Sequence, residues 1–150
     1  QALGGDERLL HAMARAALQF EAPLSLFGQL RPGERGLDIK RGGIFPIVHG
    51  LRCLALKHGI AQRNSFARCE ALVQAGKLDA ALGRDLAQTL AVLQRLRLDA
   101  QLAALDAGTV PGNCLHPDTL RRLDRELLRD ALRVVKAFQQ QLRIAFHLGD

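Results

Sequence analysis

The sequence predicts an all-α fold: an antiparallel bundle of about five helices with one long, irregular Gly/Pro-rich loop near its N-terminal side. Three observations lead there. The apolar residues are dominated by Leu and Ala, with six Phe and neither Tyr nor Trp, a mixture that favours helices over the β-branched and aromatic residues of sheets. Residues 79–107 and 117–147 carry apolar side chains at helical spacing with almost no internal breaker. Gly and Pro gather between the periodic stretches, where turns are needed.

Taken in order, Leu9, Leu10, Met13, Ala17 and Phe20 define a first helix over residues 6–20, with Asp6 placed to cap it and Pro23 to close it. Residues 1–5, with Gly4 and Gly5, are expected to be a linker or the cut end of a longer chain. Residues 24–43 hold Gly28, Pro32, Gly33, Gly36, Gly42 and Gly43 and are expected to form an ordered loop or short hairpin. Residues 44–58 carry Ile44, Val48, Leu51 and Ala55 on one side and Phe45, Cys53 and Leu56 on the other, the pattern of a central helix covered all round. Gly59 stops it. Asn64 or Ser65 starts a shorter helix ending at Gly76, and the Leu82, Leu86, Leu90, Leu93 stripe marks a long one over residues 79–107. Pro117 opens a last helix whose expected inward stripe is Leu120, Leu123, Leu127, Ala131, Val135, Phe138, Leu142 and Phe146.

A chain of 150 residues, 48% apolar and 24% charged, has the length and composition of one globular domain. The three cysteines are widely spaced with no CxxC pair, which suggests neither a disulfide framework nor a zinc knuckle and fits a reducing, cytoplasmic setting. No stretch is apolar for long enough to span a bilayer, so no membrane partner is expected. The net charge of +6 points only weakly to nucleic acid, which is not the expected partner. The basic row Arg122, Arg125, Arg129, Arg133 and Lys136 reads first as a solvated face, because Asp118, Glu126 and Asp130 lie within ion-pairing reach along the helix.

Two groups carry candidate chemistry. In the segment from Asp38 through Lys40, Arg41, Gly42 and Gly43 to Pro46, two cations and two glycines precede a helix start, where free amides and a close backbone favour an anion such as phosphate. The same residues also read as a tight turn with Lys40 and Arg41 in solvent. Arg97 falls on the inward stripe of the long helix with Gln101 one turn on; a guanidinium so placed clamps an acidic ligand or pairs with an acid such as Asp38. Asp38 is a weaker candidate for a carboxylate ligand to a metal centre completed elsewhere. No other residue is assigned to catalysis, and no metal is assigned to the histidines and cysteines, which lack ligand spacing.

Residues 37–50, LDIKRGGIFPIVHG, resemble a signature of the nucleotidyltransferase substrate-binding domain, which follows a nucleotidyltransferase-like domain in bacterial proteins that also carry CBS or cyclic-nucleotide-binding modules. The likeness extends to Pro23-Leu24-Ser25-Leu26-Phe27-Gly28, to Arg95-Leu96-Arg97-Leu98 and to residues 128–135. The chain departs from that pattern at Asp99-Ala100, at Gly112 and at Arg63 and Ser65. The resemblance implies a helical partner to a catalytic domain similar to that of the uridylyltransferase acting on the PII protein. On this reading Lys40, Arg41, Gly42, Gly43, Arg97 and Gln101 bind nucleotide or substrate for uridylyl or adenylyl transfer in signal transduction. The fragment itself needs no cofactor, and magnesium with a nucleoside triphosphate belongs to the longer protein, together with a protein acceptor. The alternative is a non-enzymatic signalling or dimerisation adaptor, in which the bundle relays the state of attached sensor modules or forms a homodimer.

Overall fold

A computed structural model describes residues 3–149. Five helices form the body: α1 (Leu3–Ala17), α2 (Phe45–Lys57), α3 (Ser65–Gln74), α4 (Ala80–Asp106) and α5 (Arg122–Ala145). Two very short strands, β1 (Leu37–Asp38) and β2 (Cys114–Leu115), pair antiparallel with Leu37 opposite Leu115 and Asp38 opposite Cys114. The expected all-α bundle is present, and α2 is central as predicted: it packs against α1, α3 and α5.

Local chemistry sets most helix ends. The Asn64 side chain accepts from the Ala67 amide and starts α3; Asp79 accepts from the Leu82 amide and starts α4. Beyond α2, α3 and α4, Gly59, Gly76 and Gly108 adopt positive φ, and the following amides return to carbonyls of the last turn. The C-terminus of α1 is closed differently. Buried Gln139 of α5 donates its amide to the carbonyls of Ala17 and Phe20, at 3.3 and 2.9 Å, so a distant side chain serves as the cap.

Four local expectations are corrected. The first helix begins at Leu3, so Asp6 lies inside its first turn and does not cap it, and Gly4 and Gly5 are helical. It ends at Ala17, where tighter bonds from Leu18 and Gln19 take over ahead of the Gln139 cap. Residues 40–44 are not loop: Lys40–Ile44 form one π-helical turn that runs into α2, with the Phe45 amide bonded to the Lys40 carbonyl. The last helix begins at Arg122, because Pro117–Thr119 close a separate 3-10 turn and Leu120 and Arg121 are extended. Its inner stripe also differs. Leu128, Leu132 and Gln139 are buried, while Leu123 and Leu127 are 77% and 42% exposed. Burial of Leu128, Leu132, Val135, Phe138 and Leu142 sets the inward side of α5 and leaves Leu123 outward, where the Arg95–Asp124 ion pair at 2.9 Å joins α5 to α4.

The core is packed to contact along two seams. A Cβ on Gly50 of α2 would stand 2.6 Å from the Phe138 ring and 2.7 Å from Leu142, and one on Gly83 of α4 would stand 2.4 Å from Val73 of α3. Such distances let helix backbones approach more closely than any larger residue permits.

Candidate functional site

The expected loop of residues 24–43 divides into a hairpin, a strand and a turn. Leu24 bridges Leu30, and Gly33 bridges Gly36. The chain then enters β1, which the long-range pairing to β2 holds in place, and the Ile39 amide donates to the Asn113 carbonyl at 2.9 Å. This tether fixes the start of the π turn and brings residue 113 beside it.

The turn has two faces. On the inner one, Gly42 and Gly43 are buried: a Cβ on Gly42 would meet Pro23 Cδ at 2.8 Å, and one on Gly43 would meet Leu93 Cδ1 of α4 at 3.0 Å. Both glycines therefore serve close packing against protein. On the outer face, Lys40 and Arg41 line a cleft of about 690 Å³ with Asp38, Gln19, Phe20, Phe45 and Asn113. That volume lies within the range of small-molecule sites.

Arg41 is held in place. Its backbone amide donates to Asp38 Oδ1 at 2.9 Å, its Nε lies 3.9 Å from Asp38 Oδ2, and its guanidinium sits 5.3 Å from the centre of the Phe20 ring. Lys40 is exposed and forms no ion pair among the described residues. Phe45 stacks on His49 at 5.0 Å, and His49 Nε2 contacts the Met13 carbonyl at 2.8 Å, which orients the aromatic wall. The cleft thus offers one exposed ammonium, one guanidinium in contact with Asp38 and Phe20, and two aromatic rings.

Arg97 and Gln101 lie outside the cleft lining. Gln101 donates to the Gly112 carbonyl at 3.4 Å, which places it against the segment that carries Asn113. Arg97, one turn earlier and one turn beyond Leu93, faces the same side of α4. It does not pair with Asp38, whose carboxylate is taken by Arg41; among the described residues its buried Nε has no hydrogen-bond partner, and neither does buried Asn113 Oδ1. The structure therefore groups Lys40, Arg41 and Asp38, sets Gly42 and Gly43 behind them, leaves Gln101 against Gly112 beside Asn113, and does not bring Arg97 into the cleft. Phe45 belongs to the candidate segment itself, but Gln19, Phe20 and Asn113 were not singled out as site residues from the sequence. The β1–β2 pairing and the α1 exit bring them in, and neither has a local signal.

Asp38 is the sole carboxylate on the cleft, and both of its oxygens face Arg41. These residues do not make a magnesium site by themselves. Among the described residues no three His, Cys, Asp or Glu side chains converge as metal ligands. Burial pushes the Cys53 thiol up to about 11 and raises that of Cys69, whose Sγ contacts the Gly83 carbonyl at 3.2 Å; neither is a thiolate near neutral pH. Of the basic row on α5, Arg129 pairs with Glu126 at 3.5 Å and Arg133 with Asp130 at 3.0 Å, whereas the expected Asp118 pairing of Arg122 is absent among the described residues. No helix is long and apolar enough to cross a membrane among the described residues.

Residues 7–146 match the model of a family described as "Putative nucleotidyltransferase substrate binding domain". No curated protein and no solved structure matches the chain.

Proposed function

Because the chain belongs to the nucleotidyltransferase substrate-binding domain family, we propose that the cleft at Lys40 and Arg41 receives the anionic part of a nucleotide or substrate. An associated nucleotidyltransferase domain closes over it. The observation that carries this reading is the contrast between the two cations. Arg41 is fixed by Asp38 and Phe20 and can present a guanidinium without reorganising, while the Lys40 ammonium is free to follow a phosphate. Phe20 and Phe45 supply apolar surface for the rest of the ligand. Magnesium supplies charge neutralisation on the triphosphate when bound, and its carboxylate ligands belong to the partner domain. Uridylyl or adenylyl transfer to a protein acceptor is the finer form of this reading.

The test is titration of ATP or UTP with magnesium into the longer protein, before and after Lys40→Ala with Arg41→Ala. A loss of affinity of tenfold or more is expected. Unchanged affinity and transfer rate remove the proposal.

A second reading, a dimerising signalling adaptor, draws on Leu98, Leu102 and Leu105, which recur at helical spacing on the outer face of α4 and are all exposed. Sedimentation velocity separates the two: a stable dimer that Leu102→Glu dissociates, with no nucleotide bound, favours the adaptor.

A further inference from the structure

The cleft and the partner domain do not account for the hairpin between Pro23 and Arg31. It is a rigid device. The Arg31 amide donates to the Pro23 carbonyl at 2.8 Å and the Ser25 amide to the Gln29 carbonyl at 2.8 Å. Ser25 Oγ accepts from the amides of Phe27 and Gln29, at 3.3 and 3.0 Å. Gly28 turns the chain at φ +76°, and its amide returns to the Ser25 carbonyl. The result of so much local bonding is the presentation of two apolar side chains to solvent: Leu26 is 94% exposed and Phe27 91%. Mobile loops expose apolar residues incidentally; a tip locked by its own hydrogen bonds holds them out.

The surroundings of that tip are cationic. A Cβ on Gly28 would stand 3.0 Å from Arg133 Nη2, so the tip lies on α5 at that residue. At about 100° per residue, Arg122, Arg125, Arg129, Arg133 and Lys136 share one flank of α5, and Lys136 and Arg125 form no ion pair among the described residues. At the other end of the hairpin, Pro23 is the residue against which Gly42 packs, directly behind the cleft.

We infer that the Leu26–Phe27 tip and the basic flank beneath it form the docking surface for the associated nucleotidyltransferase domain, which meets them with an apolar socket rimmed by Asp and Glu. The inference rests on the proposed function for the existence of that domain and adds where it binds. Charge complementarity selects an acidic rim, and Phe20 of the cleft wall lies three residues before Pro23, so the hairpin springs from the edge of the cleft. A lipid surface fits less well, since the exposed apolar surface is two side chains on one turn, short of the apolar helical face that holds a protein in a bilayer interface.

The probe is the nucleotidyltransferase domain encoded in the same gene, produced separately and titrated calorimetrically against this chain. Wild-type association is expected, weakening as salt rises. Leu26→Ser with Phe27→Ser raises Kd tenfold or more at an unchanged melting temperature, and raises it by the same factor in a Lys40→Ala, Arg41→Ala background. That last arm separates the two proposals, because it tests the tip with the cleft already struck. Absence of such a domain from the gene, no association, or equal association of the tip variant overturns the inference. So does tip-dependent binding to phosphatidylglycerol vesicles, or self-association that the tip variant abolishes.

Discussion

Gly43 and Gly50 lie on the same helical run as Lys40 and Phe45, and the two faces of that run are built to opposite rules. On the inner face there is no room for a methyl group: Gly50 is pressed on Phe138, Gly43 on Leu93 and Gly42 on Pro23. On the outer face Lys40 has no ion-pair partner among the described residues, and a cleft of about 690 Å³ stands open. The Lys-Arg-Gly-Gly segment therefore divides its labour. Its glycines seat the turn on the bundle, and its cations face outward for a ligand. Mutations on the inner face should act on stability, and mutations on the outer face on binding.

The largest effect is expected at the tightest seam. Phe138→Ala should cost about 3–5 kcal/mol in a urea or thermal melt, the usual range for deleting a fully buried aromatic ring. Gly50→Ala should cost about 1–3 kcal/mol by overpacking against that ring. In the Phe138→Ala background part of the Gly50→Ala cost should vanish, since the ring is gone while Leu142 Cδ1, 2.7 Å from the added Cβ, remains; strict additivity in the double-mutant cycle would show that the ring is not what limits Gly50.

Next in size is the buried amide that closes α1. Gln139→Leu keeps the volume roughly but leaves the Ala17 and Phe20 carbonyls without their donor, and about 1–3 kcal/mol should be lost. Because Phe20 also stacks under Arg41, this variant should weaken ligand binding as well. An effect on stability alone would mean that the α1 exit does not set the cleft wall.

Alkaline pH probes the same inner face. The Cys53 thiol moves from an ordinary 9.0 to about 11 through burial, so between those values the unfolded chain releases a proton that the folded chain keeps. Stability is therefore complete below about pH 9 and declines as pH climbs towards 11, and Cys53→Ala should make the decline shallower. Exposed Cys114 should react with a thiol reagent in the native protein at pH 8, while buried Cys53 and Cys69 wait for unfolding. Equal labelling of all three would break the contrast.

Much of this architecture was legible in the sequence. Leucine periodicity found α4, glycines marked the ends of three helices, and Asn64 marked a start, because those signals act within one turn of chain. The cleft was only partly legible. Lys40 and Arg41 announced themselves by charge, yet Gly42 and Gly43 could not be read as packing residues without knowing that Pro23 and Leu93 cover them. Asn113 is brought in by a two-residue strand pair that leaves no periodic trace, whereas the stripe of α5 was read correctly at Ala131, Val135, Phe138, Leu142 and Phe146 and missed only toward its start. Arg97 was placed on the correct side of α4, but its supposed partner Asp38 had already been claimed by the nearer Arg41.

The smallest effect on stability should come from the residue with the largest expected effect on binding. Lys40 is exposed and without an ion-pair partner among the described residues, so Lys40→Ala should shift stability by less than about 0.5 kcal/mol. Lys40→Arg keeps the charge but replaces a flexible ammonium with a planar fork, and should restore binding only in part. Arg41→Lys should behave differently, because Arg41 is held through its own side chain against Asp38 and Phe20. A compact ammonium forms that stacked arrangement less well, so the binding loss should exceed that of Lys40→Arg, with little change in melting temperature for so exposed a pair. If both conservative exchanges gave the same small binding loss, the division between one paired and one unpaired cation would be lost, leaving a cleft with diffuse positive charge.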